Sequence, residues 1–249
     1  MLHINSLQLG VHHDENDLRK KIAKTVGCNI DEIKSIEIKK RSVDARKKPE
    51  IFYSYSIDVS VGNEEKYLKR NKSLSLAKPV IYAYKDAKGL KAADIKRPVV
   101  VGFGPAGIFA ALLLSKNGLK PIVIERGECV EERKESVDRF WNEGKLNPES
   151  NVSFGEGGAG TFSDGKLNTL VKYTFGRNKF VLETLVEYGA PKEILYDNKP
   201  HIGTDLLTGI VKSIREDIIR LGGEVRFDTK LIDIEDIDKK IIFPKVIYY

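Results

Sequence analysis

Residues 97–127, "RPVVVGFGPAGIFAALLLSKNGLKPIVIERG", constrain the fold of this chain more than any other stretch. A short apolar strand, Pro98–Val101, runs straight into Gly102, Gly104 and Gly107, spaced as GxGxxG, and a helical run follows at once. A second strand, Lys120–Ile124, then ends on an acid, Glu125. Each part has a physical role. Gly102 permits the tight turn out of the strand, Gly104 lets backbone approach a pyrophosphate, and Gly107 lets helix and strand pack closely. Pro105 and Ala106 head the helix, whose first amides and positive dipole end favour an anion. Glu125 is placed to accept hydrogen bonds from an adenosine ribose. Its carboxylate would repel a 2′-phosphate, which leaves NAD or FAD as the dinucleotide.

A second glycine cluster lies further on, in "FGEGGAGTFSDG" (residues 154–165), with Lys166 directly after it. Glycine gives up more backbone freedom on ordering than any other residue, so five in twelve positions mark either a loose surface loop or a close approach to the main chain. Phe154 and Phe162 bracket the segment, as expected of an anchored loop.

The charge is unevenly placed. Residues 1–96 hold 20 Lys and Arg against 13 Asp and Glu (+7), and residues 97–249 hold 22 against 23 (−1). Such a shift predicts two units, joined near the charged connector "KDAKGLKAADIKRP" (85–98). In the first unit, "HINSLQLGV", "EIKSIEIKKR" and "EIFYSYSIDVSV" alternate as strands do. "DENDLRKKIAKTVGC" reads as a helix capped by Asp14, "NEEKYLKRN" as a short helix, and "KPVIYAY" as a last strand. The order β-α-β-β-α-β predicts a small ferredoxin-like α+β domain over 1–96. Between the middle strands, Lys39–Lys48 carries six cations in ten positions. A loop so basic could grip RNA phosphates, but no aromatic stacking motif accompanies it, and a solvated hairpin tip is the favoured reading.

In the second unit, "ECVEERKESVDR" has helical spacing, and Phe140 and Trp141 behind it are expected in the core. "GRNKFVLETLVEYGAP" and "TDLLTGIVKSIREDIIRLGG" read as amphipathic helices closed by Gly189 and Gly222. Thr204 or Asp205 is a candidate cap for the second of these, and "GEVRFDTKLIDIED" gives two strands. The two cysteines, Cys28 and Cys129, form no CxxC pair, and no secretory leader or apolar span is evident, so a cytoplasmic protein without a membrane segment is expected.

"GFGPAGIFAA" followed by "VIERG" resembles the FAD motif of glutathione-reductase-like flavoproteins. "NPESNVSFGEGGAGTFSDGKLNT", "KPHIGTD" and the "RSVDARKK" of Arg41–Lys48 are together similar to a family of bacterial FAD-dependent dehydrogenases. The resemblance spans residues 1 to about 235 and implies a Rossmann-like FAD/NAD(P)-binding domain over 97–249. It implies FAD as cofactor, with NAD(P)H a candidate electron donor, and a small-molecule substrate. On this reading Gly157, Gly158, Ala159 and Gly160 bring amides against the pyrophosphate and ribityl chain, while Thr161, Ser163 and Asp164 offer polar partners. Arg126 lies along the adenosine and Leu231 near the adenine. Lys166, beside the flavin, and His201, the one histidine outside the first unit, are the candidates for chemistry. Family members run to about twice this length, so a cofactor domain lacking its C-terminal half is expected. Two alternatives stand beside the oxidoreductase: a flavin-dependent RNA-modifying enzyme, and a non-catalytic FAD-binding module.

Overall fold

The computed structural model describes residues 1–79, 81–82, 96–162, 165–167, 176–237 and 240–248. It is a mixed α/β chain of two compact units. In chain order its elements begin with β1 (Leu2–Gly10), α1 (Glu15–Val26), β2 (Ile33–Asp44), β3 (Phe52–Val61), α2 (Glu64–Arg70) and β4 (Ser75–Leu76). There follow β5 (Val99–Val101), α3 (Pro105–Lys116), β6 (Ile122–Ile124), α4 (Val130–Glu143) and α5 (Arg177–Glu187). The last are α6 (Thr204–Arg220), β7 (Glu224–Arg226), β8 (Thr229–Ile237) and β9 (Lys240–Tyr248).

The first unit is built on an antiparallel sheet in the order β2-β3-β1-β4. The Asp14 side chain accepts from Asp17 N at 2.7 Å and starts α1 with a capping box, and left-handed Gly27 (φ 82°) ends it. Between these caps Leu18, Ile22, Ala23 and Val26 form one helical stripe, buried against Leu2, Ile4, Ile57 and Val59 of the sheet. The last strand departs from expectation. The strand forms at Ser75–Leu76, paired with His3 and Leu2, ahead of "KPVIYAY". Within that segment Lys78, Pro79, Ile81 and Tyr82 are not in a strand, and Val80, Ala83 and Tyr84 lie outside the described residues. The basic stretch is divided: β2 runs on to Asp44 and places Lys39–Asp44 in the sheet, while Arg46, Lys47 and Lys48 stand exposed in the connection to β3.

Unit one gathers more than the N-terminal residues. It comprises Met1–Tyr82 with Leu167–Val186, which holds most of α5, and Pro191–Pro200. Arg41 explains part of this grouping. Its guanidinium makes a two-pronged bond to Asp197 at 2.7 and 3.0 Å and lies 5.2 Å from the Tyr53 ring and 5.1 Å from the Tyr196 ring. Arg41 N donates to Tyr196 O, and Asn198 N to Arg41 O. A single cut at residue 96 therefore does not separate the units, and residues 85–95 of the connector expected at 85–98 lie outside the described residues.

The second unit carries a parallel sheet, β5-β6-β7, in which Val99, Val100 and Val101 stand opposite Ile122, Val123 and Ile124. β5 is joined to β6 by α3, which packs on α6 through an apolar face including Ala111 and Leu112. β8 and β9 form a separate antiparallel ribbon. Two local expectations are corrected. α6 starts behind Gly203, which makes no side-chain cap, so Thr204 and Asp205 are its first helical residues. Trp141 is 60% exposed rather than in the core, its ring set edge-on to Phe162.

Candidate nucleotide-binding site

The site starts where β5 leaves the sheet. Gly102 turns with φ 87°, a backbone that side chains rarely adopt, while its N–H donates to Ile124 O at 2.7 Å. Gly104 caps α3 with extended backbone and Pro105 takes the first helical position, where its missing N–H costs nothing. The first bond inside the helix is Ile108 N to Gly104 O at 3.0 Å. The amides of Ala106 and Gly107 thus head the helix with no acceptor one turn back. A Cβ on Gly107 would overlap Gly102 O, so this position needs glycine for the helix to lie against the turn.

Glu125 does something the sequence does not announce. It is 4% exposed, and both oxygens bind backbone: Oε2 accepts from Phe103 N at 2.6 Å and Oε1 from Gly127 N at 2.9 Å. The carboxylate thereby ties the end of β6 to the glycine turn.

The second glycine stretch folds onto the first. Gly157 N donates to Phe103 O at 2.9 Å. Gly158, at φ 65°, lies so close to the helix start that an added Cβ would stand 3.2 Å from Pro105 Cδ and 3.5 Å from Gly104 Cα. A Cβ on Gly127 would likewise come within 2.7 Å of Gly155 Cα. Behind the loop, on the inner face of α4, Arg133 is fully buried. It donates to the carbonyls of Asn151 (2.9 Å), Glu156 (2.6 Å) and Gly158 (2.9 Å) and to Thr161 Oγ1 (2.8 Å). Burial pulls its guanidinium down to about 10. Glu156, equally buried, accepts from Val130 N at 2.9 Å and from Arg215 at 2.7 Å. Burial pushes its carboxyl up to about 7 in spite of Arg215.

Beside this junction runs a groove of about 390 Å³. Of the sequence candidates, Gly102, Gly104, Glu125, Arg126, Gly158 and Leu231 line it. Arg126 lies 4.2 Å over the Phe154 ring and pairs with Glu149, which Lys230 also holds at 2.9 Å. These two cations, Lys230 first, keep the Glu149 carboxyl below its usual range.

Other candidates fall elsewhere. Pro105 touches the junction without lining the groove, and Ala106, Gly107, Gly157 and Ala159 also stand outside its wall. Gly160 faces Leu207 of α6. The Thr161 hydroxyl is turned inward, spent on Arg133 and Gly158 O, which corrects its expected role as a partner for a ligand. Ser163 and Asp164 lie outside the described residues. Lys166 and His201 are brought together as antiparallel bridge partners, flanked by Ile202 N donating to Gly165 O at 2.9 Å. Neither lines the groove. The Cys129 thiol, pushed up by burial, shows no nucleophilic activation. Sequence reasoning missed Phe103, Gly127, Arg133, Glu156 and Lys230. For Arg133 the one available signal was its place in the stripe Val130, Arg133, Val137 that α4 buries.

Residues 1–60 match the model of a domain of unknown function (DUF8436). A protein of Clostridium beijerinckii, described only as uncharacterized, is 50% identical to the chain over 240 residues, which make up 96% of this chain and 45% of that protein. The chain thus spans less than half the length of this relative. Among the described residues, no helix is long and apolar enough to cross a membrane, and no group of His, Cys, Asp and Glu is arranged to hold a metal ion.

Proposed function

We propose that the second unit holds the ADP part of FAD in the groove beside Gly104 and Gly158, and that the chain is the cofactor-binding part of an FAD-dependent oxidoreductase. One observation carries the reading. Two glycine stretches about fifty residues apart meet backbone to backbone at the head of α3, where side chains would fill the space a diphosphate needs. The parallel β5-α3-β6 unit with β7 alongside fits a Rossmann-like domain, and the sheet order β2-β3-β1-β4 fits a ferredoxin-like first unit. Adenine would lie toward Leu231 and the Arg126–Phe154 stack, the diphosphate toward Gly104 and Gly158. FAD in preference to NAD rests on the sequence resemblance, as does the candidate role of NAD(P)H as electron donor. Bound flavin would supply the electron transfer, while the protein positions it. Lys166 and His201 remain the candidates nearest that chemistry, and the small-molecule substrate is part of the same proposal. A cytoplasmic setting accords with the two free cysteines.

Nucleic acid is the weaker reading, because three of the six cations of the basic stretch are paired within the first unit. Lys39 pairs with Glu37 and Asp58, Arg41 with Asp197, and Arg46 with Asp44. The decisive experiment is a titration of the purified protein with FAD, followed by thermal unfolding and the visible spectrum. A bound flavin spectrum with a rise in Tm is expected. A colourless protein, thermally unmoved by excess FAD or ADP, overturns the proposal.

A further inference from the structure

A second surface lies wholly within the first unit and does not depend on the nucleotide reading. A groove of about 910 Å³ runs between α1 and the residues that lead into β3. Its floor is apolar: Leu9, Val11 and Phe52 are half-buried, and Ile51 is 44% exposed. Leu9 also packs against the core of the unit, so the floor is held from beneath.

One wall is a single stripe of α1. Asp17, Lys20, Lys21 and Lys24 follow the i, i+3, i+4, i+7 spacing of one helix face, beside the stripe that the helix buries. The three lysines are exposed, and none makes an ion pair among the described residues. Asp17 belongs to the capping box, where its carboxylate accepts from Asp14 N at 3.4 Å. Lys47 and Lys48, also exposed and without an ion pair among the described residues, lead into Pro49 and Glu50 of the opposite wall. The contrast within the unit is sharp. Lys39, Arg41 and Arg46 each have a carboxylate partner, whereas the cations beside this groove do not. Like charges one turn apart repel, so the stripe on α1 favours an anionic partner from outside.

We propose that this groove docks an acidic amphipathic helix of a partner protein. The sign of the partner follows from the lysine wall. Its form follows from spacing: carboxylates three or four positions apart on a helix recur about every 5–6 Å, which matches Lys20 and Lys24 one turn apart on α1. Apolar side chains flanking that acidic row would enter the floor at Leu9 and Ile51, as the anchors of a helix laid in a groove do. Nucleic acid suits the floor less well, because bases need ring faces to stack on. Of the rings that line the groove, Phe52 is half-buried and His13 is set edge-on against Tyr53 and Tyr55, which leaves His12 exposed.

The test is fluorescence anisotropy of a labelled peptide helix with glutamates along one face and leucines beside them, titrated with the whole chain. Binding is expected, weakening several-fold from low to physiological salt. The variant Lys20→Glu/Lys21→Glu/Lys24→Glu, changed at exposed positions, should lower affinity by about tenfold or more, and Ile51→Ser by about threefold. Lys69→Glu/Arg70→Glu/Lys72→Glu makes the same charge change at exposed positions outside the groove. It should leave affinity within about twofold, because distant charges are screened. Circular dichroism checks that each variant is folded. Equal losses in the two triple variants would mean attraction to net charge alone and overturn the proposal. So would a peptide with glutamine for glutamate that binds as tightly, or no binding of the acidic peptide. A single-stranded oligouridylate that binds more tightly than the peptide, and loses affinity with the same α1 lysines, assigns the groove to nucleic acid and overturns the proposal as well.

Discussion

Glu125 offers the sharpest separation of a structural role from a ligand-binding one. Its two oxygens each take a backbone amide, Phe103 N and Gly127 N, in a setting that is almost fully buried. In Glu125→Gln one oxygen remains an acceptor, but the amide nitrogen replacing the other presents hydrogens to a donor. One charge-assisted bond is lost and one buried N–H is left unsatisfied, at about 1.5–3 kcal/mol. Glu125→Ala abandons both amides and opens a small cavity, and about 3–6 kcal/mol is expected by doubling the same figure. With about 2–4 °C of Tm per kcal/mol for a chain of this size, the Gln variant should melt several degrees lower and the Ala variant lower still. Differential scanning calorimetry without nucleotide is the assay, because a carboxylate whose only duty is to a ribose would be silent there. If both variants melt within 1 °C, roughly 0.5 kcal/mol, of the parent, the carboxylate does not hold the turn and the reasoning is wrong.

Gly158→Ala forces a side chain into left-handed backbone and against Pro105. It should cost about 1–3 kcal/mol of stability and weaken FAD or ADP binding in a fluorescence titration. Glu156 predicts a pH dependence. Its folded-state value, near 7, exceeds the ordinary 4.5, so the folded protein holds a proton that the unfolded chain has released. The stability it contributes is full below about pH 4.5, falls as pH rises, and is gone above about 7. The swing is at most about 3 kcal/mol, and denaturant unfolding of Glu156→Gln across this range should lack it. In the first unit, Arg41→Ala removes a two-pronged, partly exposed ion pair and two ring contacts. About 1–2 kcal/mol is expected after allowing for solvent screening, measured by urea unfolding, with Arg41→Lys recovering only part of it.

What the sequence made legible was local. The β5–α3 turn could be read because each glycine answers to backbone a few residues away, and α1 because its cap and its stripe are written in neighbouring positions. The β4 strand could not be placed: "KPVIYAY" has the stronger strand composition, yet pairing with Leu2 and His3 falls to Ser75–Leu76, and partners rather than propensity decide an edge strand. Glu125 was legible as a residue beside the glycine turn but its bonds to two amides were not, because a carboxylate aimed at a sugar and one aimed at two amides look alike in sequence. Arg133 and Glu156 were illegible for a different reason. The partners of Arg133 lie 18–28 residues on, in a loop whose path no periodicity reveals, and Glu156, within that loop, meets partners 26 residues back on α4 and 59 residues on along α6. Trp141 misled because helical spacing indicates a face without saying how far along the helix that face stays covered.

The division of the chain bears on how it can be dissected. The backbone passes five times from one unit to the other, so neither body corresponds to one uninterrupted piece of gene. A fragment ending at residue 96 would carry Arg41 without Asp197, stranding a half-buried guanidinium that the intact polypeptide neutralises from 156 positions downstream. Expressing the halves separately would thus report on damaged bodies, and limited proteolysis should yield nicked chains that stay associated in preference to clean, independently soluble domains.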